Sequence, residues 1–115
     1  MMREDPTIGT VRARAFTVPT DAPEADGTLS WDRTTLVVAE IEAGGETGLG
    51  YSYTDASVAQ LITKTLAARL SGLPALDIPR VNGVLWGAVR NLGRSGLAAT
   101  AISALDTALW DLKAR

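Results

Sequence analysis

Apolar and polar residues alternate along the first half of the chain, and a period of two is typical of β-strands. The alternation predicts three strands, at Ile8–Val18, Thr34–Ala43 and Glu46–Thr54. Between the last two lies Gly44-Gly45, a dipeptide that favours a tight hairpin turn. The sequence therefore predicts an antiparallel meander of three strands.

Two of these strands depart from a simple alternation. In the first strand, Phe16 and Val18 are even-numbered like Arg12 and Arg14, so one face of the strand is both charged and apolar. In the third strand, glycines alternate with large residues, among them Tyr51 and Tyr53. Glycine weakens a strand, so its repeated use suggests a bulge or the close approach of another backbone.

The second half of the chain has a helical period. After Thr54 or Asp55 as a first cap, apolar residues recur at i, i+3 and i+4 until Gly72-Leu73-Pro74. Asp77, followed by Pro79, predicts the start of a second helix, which Gly93 closes. Ser95 is the predicted cap of a third helix that runs to Arg115.

The third helix has one broad apolar face, formed by Ala101, Leu105, Ala108, Leu109 and Leu112. Asp106 lies outside that face, near Ile102 and Trp110. Because a carboxylate among apolar residues needs a partner, we expect the helix to have more than one neighbour. We also expect Asp106, Trp110 and Leu112 to contact a segment outside this sequence. In its absence, the chain is predicted to self-associate through this helix or through the neighbouring Trp86.

These elements together predict an α+β fold, in which a three-stranded antiparallel meander is followed by a three-helix bundle packed on one face of the sheet. A length of 115 residues suits one domain and one core. The segment Pro19–Arg33 has two prolines, a glycine and four carboxylates, which predicts a loop. A loop of this length is either functional or simply solvated.

The amino-acid composition limits the classes of function that the chain could have. A net charge of −2 and a pI near 5.0 give no indication of nucleic-acid or membrane binding. The absence of cysteine excludes disulfides and thiolate chemistry and favours the cytoplasm. The absence of histidine removes the commonest general base, so no serine has a partner for nucleophilic catalysis.

No residues in the sequence form a recognisable catalytic or metal-binding set. Asp21, Glu24 and Asp26 lack the spacing and the bidentate acid of a calcium loop. The glycines of 44–50 have no following lysine and join two strands, so they do not suit a phosphate. We predict no catalytic residue, no metal ligand and no cofactor in this chain.

The last helix carries a resemblance to a known family. Its sequence resembles the first signature of the mandelate racemase/muconate-lactonizing branch of the enolase superfamily. The residues that fit are Ala101, Ser103, Ala104, Leu105, Asp106, Ala108, Leu109, Asp111, Leu112, Ala114 and Arg115. The signature breaks off at Arg115. We therefore expect residues 1–115 to be an N-terminal capping domain whose C-terminal TIM-like barrel is not in this sequence.

The resemblance implies which residues meet a substrate. In that family the loop between the first two strands folds over the active site, and the end of the third strand reaches its mouth. The implied substrate-binding residues are Asp21, Glu24, Asp26, Trp31, Tyr51 and Tyr53. For the two tyrosines, ordinary cross-strand packing is an equal alternative.

The resemblance also implies the chemistry of a parent enzyme. Family members abstract a proton next to a carboxylate, and Mg²⁺ stabilises the resulting enediolate. The parent would be a racemase, a cycloisomerase or an acid-sugar dehydratase, and the polar loop favours the dehydratase. Its expected partners are its own barrel, a small carboxylic acid and further copies of itself. The alternative is a stand-alone α+β binding or interaction module.

Overall fold

A computed structural model describes residues 5–115 of the chain. Three strands come first, at Ile8–Ala25 (β1), Ser30–Ala43 (β2) and Glu46–Tyr53 (β3). The helix α1 (residues 57–70) is α-helical at Ser57–Gln60, π-helical at Leu61–Leu66 and α-helical again at Ala67–Leu70. The helices α2 and α3 span Ile78–Ala88 and Leu97–Ala114. The polar start of the chain at residues 1–4 lies outside the described residues.

The strands form an antiparallel sheet in the order β1-β2-β3, as the alternation predicts. Gly44 and Gly45 make the turn between β2 and β3 with φ of 59° and 80°, which glycine adopts without strain. The three helices cover one face of this sheet. The α+β fold predicted from the sequence is therefore confirmed.

The core lies between the helices and the odd-numbered side chains of β2. Val37, Ala39 and Ile41 are fully buried there. The predicted apolar face of α3 is buried against them, and burying such side chains supplies most of the stability of a small domain. Leu112 belongs to this core, with 5% of its surface exposed, so the expectation that it contacts a segment outside the chain is wrong.

The helix α3 lies unusually close to β3, and two glycines make this possible. A Cβ atom placed on Gly48 would collide with the carbonyl oxygen of Ala108, and one placed on Gly50 would collide with that of Ala104. The predicted approach of another backbone to these strand glycines is confirmed. On the same strand, the Ser52 hydroxyl donates to the carbonyl of Thr100 at 2.8 Å.

Asp106 finds its partner within the chain. Its Oδ1 atom accepts a hydrogen bond from Nδ2 of Asn82 on α2, at 2.8 Å, and both residues are half-buried. The need for a second neighbour is thus met by α2. Trp110 remains 53% exposed, with the Lys113 ammonium 5.1 Å from the centre of its indole ring.

The segment 19–33 is not the loop that its composition predicts. β1 continues to Ala25 and β2 begins at Ser30, so the segment is the outer half of a long β-hairpin. Backbone pairing therefore dominates over the local preferences of proline and aspartate. Four residues of β1, at 20–23, bulge out opposite Asp32, and both prolines lie beside or within this bulge.

The helix ends also differ from the prediction. α2 begins as expected, because the Asp77 carboxylate accepts a hydrogen bond from the amide of Arg80. It ends at Ala88, however, which leaves Leu92 on a turn with 62% of its surface exposed. The cap residue of α3 is Gly96, at φ 66°, and not Ser95. Within residues 5–115, no helix is both long and apolar enough to cross a membrane.

Candidate functional site

The two arms of the outer hairpin are joined by Glu24 and Trp31. These residues are opposite each other in the β1–β2 register, and the indole Nε1 donates to Oε2 of Glu24 at 3.0 Å. The bond fixes the indole on the hairpin while 38% of Trp31 stays exposed. Asp21 lies in the bulge, where the hydroxyl of Thr20 donates to the carbonyl of Ala22. The arms therefore carry one aromatic side chain fixed by a hydrogen bond, Trp31, and one acidic residue in the bulge, Asp21.

The tip of the hairpin is organised by Asp26. Its Oδ1 atom accepts hydrogen bonds from the amides of Thr28 and Leu29, each at 2.7 Å. These bonds, the Thr28 amide first, hold the pKa of Asp26 below its ordinary value of 3.8. The Asp26 carboxylate therefore stabilises the turn, and we interpret Asp26 as a structural residue rather than as a ligand-binding one.

Tyr51 and Tyr53 lie on the face of the sheet that is turned away from the helices. They pair with Val38 and Leu36 of β2, which have the parity opposite to that of the buried Val37. Their ring centroids are 5.9 Å apart in an edge-to-face arrangement. Tyr53 is 68% exposed, so its hydroxyl is free to meet a ligand or a partner surface.

Tyr53 also borders a cleft at the base of the hairpin. The cleft has a volume of about 460 Å³ and is lined by Val18, Pro19, Thr20, Thr34, Leu36 and Tyr53. It connects the end of β3 with the point where the hairpin leaves the helix-covered part of the sheet. Of the predicted site residues, Tyr53 lines this cleft, whereas Asp21, Glu24, Asp26 and Trp31 do not.

The predicted residues do not converge on one point. Trp31 and Val37 are both odd-numbered residues of the regularly paired strand β2, so Trp31 and its partner Glu24 lie on the face of Val37. Tyr51 and Tyr53 lie on the opposite face. Within the described residues, the two groups therefore do not form a single binding site.

Sequence reasoning missed Val18 and Leu36 as residues of the cleft. The signal was present, because Phe16 and Val18 break the charged parity of the first strand. An apolar pair on a face that a small domain leaves exposed indicates a contact surface. Leu36 pairs directly with Tyr53 of β3, and Val18 is opposite Thr34 of β2, relationships that local spacing does not reveal.

The described residues do not form a magnesium site. Across residues 5–115, no three carboxylates converge closely enough to hold a metal ion, and the sequence has no histidine or cysteine. Glu24 and Asp26 are also already engaged by Trp31 and by the turn. The described residues therefore do not fit a resident metal.

Comparison with known proteins identifies the fold. Residues 10–115 match the family described as mandelate racemase/muconate lactonizing enzyme, N-terminal domain. This match spans nearly the whole chain. The chain belongs to this family. The resemblance carried by the last helix is thus confirmed, and the whole sheet-and-helix domain shares it.

Curated relatives include cycloisomerases and dehydratases. The chain is 37% identical over 112 residues to a 3,6-anhydro-α-L-galactonate cycloisomerase of Streptomyces coelicolor, covering 92% of this chain and 31% of that protein. It is 39% identical over 84 residues to an L-talarate/galactarate dehydratase of Salmonella typhimurium, covering 70% and 21%. The chain therefore spans about a third or less of the length of these relatives.

Solved structures agree with the family. A mandelate racemase/muconate lactonizing enzyme-like protein from Rubrobacter xylanophilus superposes with a TM-score of 0.92 at 49% identity, covering 96% of this chain and 31% of that one. A racemase from Streptomyces coelicolor with bound magnesium gives 0.88 at 37% identity, covering 92% and 31%. Full-length relatives with this N-terminal domain therefore include a magnesium-containing protein.

Proposed function

We propose that residues 1–115 are the N-terminal capping domain of a Mg²⁺-dependent enzyme that acts on a carboxylic acid derived from a sugar. In this proposal the domain covers the active site of a C-terminal barrel and is not catalytic by itself. The parent reaction is a cycloisomerisation or dehydration that begins with proton abstraction next to the carboxylate. The lack of cysteine supports a cytoplasmic location.

One observation carries this proposal, namely that the hairpin and Tyr53 lie at the same end of the sheet. Tyr53 pairs with Leu36, close to the point where the outer hairpin begins, and the cleft joins them. The outer arms extend beyond the helices, since residues 21–33 are all exposed. A hairpin that acts as a lid needs a second domain to cover, and in this proposal that domain is the barrel.

The exposed groups suit a polyhydroxy acid. Trp31 offers an apolar ring fixed by Glu24, and the Tyr53 hydroxyl offers both a donor and an acceptor. Closing such residues over a site excludes water and strengthens its electrostatic interactions. The magnesium ion and the acid and base residues of the reaction are assigned to the barrel, because no metal-binding cluster is found among residues 5–115 and the sequence has no histidine.

The curated relatives support the substrate class. Those that match this chain include cycloisomerases and dehydratases whose names specify galactonate, galactarolactone, talarate, galactarate and rhamnonate as substrates. The sequence identity to these relatives lies in the domain to which we assign contact with the substrate. The proposal extends this class, without a specific sugar, to the parent of this chain.

The test is a domain exchange. This chain replaces the N-terminal domain of the Streptomyces coelicolor cycloisomerase, and turnover of its substrate is measured with Mg²⁺ present. We expect activity, and we expect Trp31→Ala in the chimera to lower kcat/KM at least tenfold without changing magnesium affinity. Leu92→Ala is the control, an exposed large apolar residue on the turn after α2, away from the hairpin. Equal effects of the two substitutions would refute the capping role.

The isolated chain provides a second test. We expect no turnover of galactarate by the 115 residues with Mg²⁺ added, because the sequence has no histidine and the described residues form no metal-binding cluster. Turnover by pure protein above that of a mock preparation would overturn the proposal. Reading the gene beyond the codon of Arg115 decides between the barrel and a stand-alone binding module.

A further inference from the structure

Both edges of the sheet make backbone contacts with neighbouring elements, each over only part of the strand. At the outer edge of β3, the Leu49 amide donates to the Asp111 carboxylate of α3 at 2.8 Å. The edge of β1 is covered only at its start, where the Ile8 amide donates to the carbonyl of Leu73 and the Ile8 carbonyl accepts from Gly72, both at 2.8 Å. The remainder of that edge, at residues 11–19, has no such cover among the described residues.

The register identifies which amides of β1 point outward. The Leu49 amide faces away from β2, so its partner Glu40 directs its own backbone groups to β1. Arg12, opposite Glu40, is therefore bonded to β2, and alternation directs the odd-numbered residues of β1 outward. The outward Ile8 amide agrees with this assignment.

Four amides therefore form an open ladder, those of Val11, Ala13, Ala15 and Thr17. A bulge between Ile8 and Val11 ends the ladder on one side. Pro19 ends it on the other side because proline has no amide hydrogen. Unpaired donors and acceptors in a row are a template for another strand.

The helices leave room for that strand. They cover the first part of β1, where Val11 and Ala13 are half-buried against the core. Ala15 and Thr17 are exposed. A strand that approaches the edge at Ala15 therefore meets no helix of this chain.

We propose that the open edge of β1, residues 11–19, pairs with the same edge of a second copy, antiparallel and with Ala15 opposite Ala15. The product is a continuous six-stranded sheet with a two-fold axis through the Ala15 pair. This inference does not depend on the proposed capping function.

The pairing at Ala15 is selected by hydrogen bonding. Val11 then lies opposite the partner's Pro19, and Ala13 opposite the partner's Thr17. All four outward amides of each copy find a carbonyl, which gives eight hydrogen bonds from the two chains. A shift by two residues towards the hairpin pairs Ala13 with the partner's Pro19 and leaves Val11 outside the ladder.

Charge selects the same register. With Ala15 opposite itself, Arg14 faces the partner's Phe16, and a guanidinium over an aromatic ring is favourable. A shift by two residues in the other direction places Arg14 directly opposite its own copy, and like charges in that position destabilise a sheet. The register with Ala15 on the axis therefore satisfies both conditions.

Cysteine cross-linking tests the register directly, because the natural chain has no cysteine. Opposite residues of an antiparallel pair are about 5.5 Å apart at Cα, within the range of a disulfide. In Ala15→Cys, oxidised glutathione takes two electrons and two protons from the paired thiols and leaves one disulfide and two reduced glutathiones. We expect a covalent dimer at least tenfold faster than for Thr17→Cys. In that control the two thiols lie about 14 Å apart along the strand, at about 3.4 Å per residue.

Two further variants test the ladder without a covalent bond. Ala15→Pro removes an outward amide hydrogen and leaves the β1–β2 ladder intact, so it should raise the dimer dissociation constant at least tenfold in sedimentation. Ala15→Val keeps the amide and should associate like the natural chain, and circular dichroism checks that each variant folds. Equal cross-linking of both cysteine variants would overturn the proposal. So would association that survives Ala15→Pro but is lost in Trp110→Glu, because α3 would then be the interface.

Discussion

The carboxylate of Asp111 on α3 accepts a hydrogen bond from the backbone amide of Leu49 on β3, at 2.8 Å. One side chain thereby satisfies an outward amide at the edge of the sheet and connects two residues that are 62 positions apart in the sequence. Arg115, one turn further along α3, pairs with the same oxygen at 3.2 Å. The last helix is therefore attached to the sheet by a polar contact as well as by its apolar face.

Asp111 makes stability depend on pH. The bond from the Leu49 amide is the main cause that holds the pKa of Asp111 below its ordinary value of 3.8, and Arg115 adds to it. Its contribution is complete above 3.8 and is lost as the pH falls through the lower folded-state pKa. We expect the Tm difference between the natural chain and Asp111→Asn to shrink from pH 6 to pH 3. The exposed Asp21→Asn is the control, and a constant Tm difference would contradict the assignment.

Gly50 should not tolerate a side chain. In Gly50→Ala the new Cβ would collide with the carbonyl oxygen of Ala104 and lie 2.6 Å from the amide nitrogen of Ala108. Backbone atoms of a helix cannot move aside, so we expect a loss of about 3 kcal/mol or more in the free energy of unfolding by urea. Gly83→Ala on α2 is the control, since no atom lies within 4 Å of its Cβ and alanine favours a helix. A loss below about 1 kcal/mol for Gly50→Ala would refute this packing.

The Asn82–Asp106 hydrogen bond should couple α2 to α3. Replacing either residue by alanine leaves a half-buried partner without its bond, which costs about 1–3 kcal/mol. The double variant should cost less than the sum of the two, by about 1 kcal/mol or more in a double-mutant cycle. The exposed pair Arg33–Asp32 serves as the control cycle and should show little coupling. Additive effects at Asn82 and Asp106 would show that the bond does not form.

The outer hairpin should exchange its amide hydrogens faster than the core strands. Residues 20–32 pair only with each other and have almost no buried side chains. Val37–Ile41, in contrast, lie in the middle strand of the sheet and pair with both β1 and β3. Asp26→Ala should increase exchange further at Thr28 and Leu29, because both amides lose their acceptor. Asp32→Ala, at an exposed residue of the arm, is the control. Equal protection of residues 20–32 and 37–41 would contradict the independence of the hairpin.

The sequence by itself determined the order and type of the main elements. Period-two alternation, the Gly44-Gly45 turn and the Asp77 cap each act through neighbouring residues, so local chemistry was sufficient. The last helix further indicated the family, because its apolar face and its acids recur at fixed spacing. Glycines in the third strand also predicted a close backbone, although not which one.

Only the tertiary structure decided how 19–33 folds and where the site residues lie. Proline and aspartate favour a loop locally, but the pairing of Glu24 with Trp31 is formed between strands, which no local signal encodes. The same is true of Asp106, whose partner Asn82 is 24 residues away. The division of Trp31 and Tyr53 between two faces follows from strand register, because a side chain's face depends on its pairing partner and not on its neighbours in sequence.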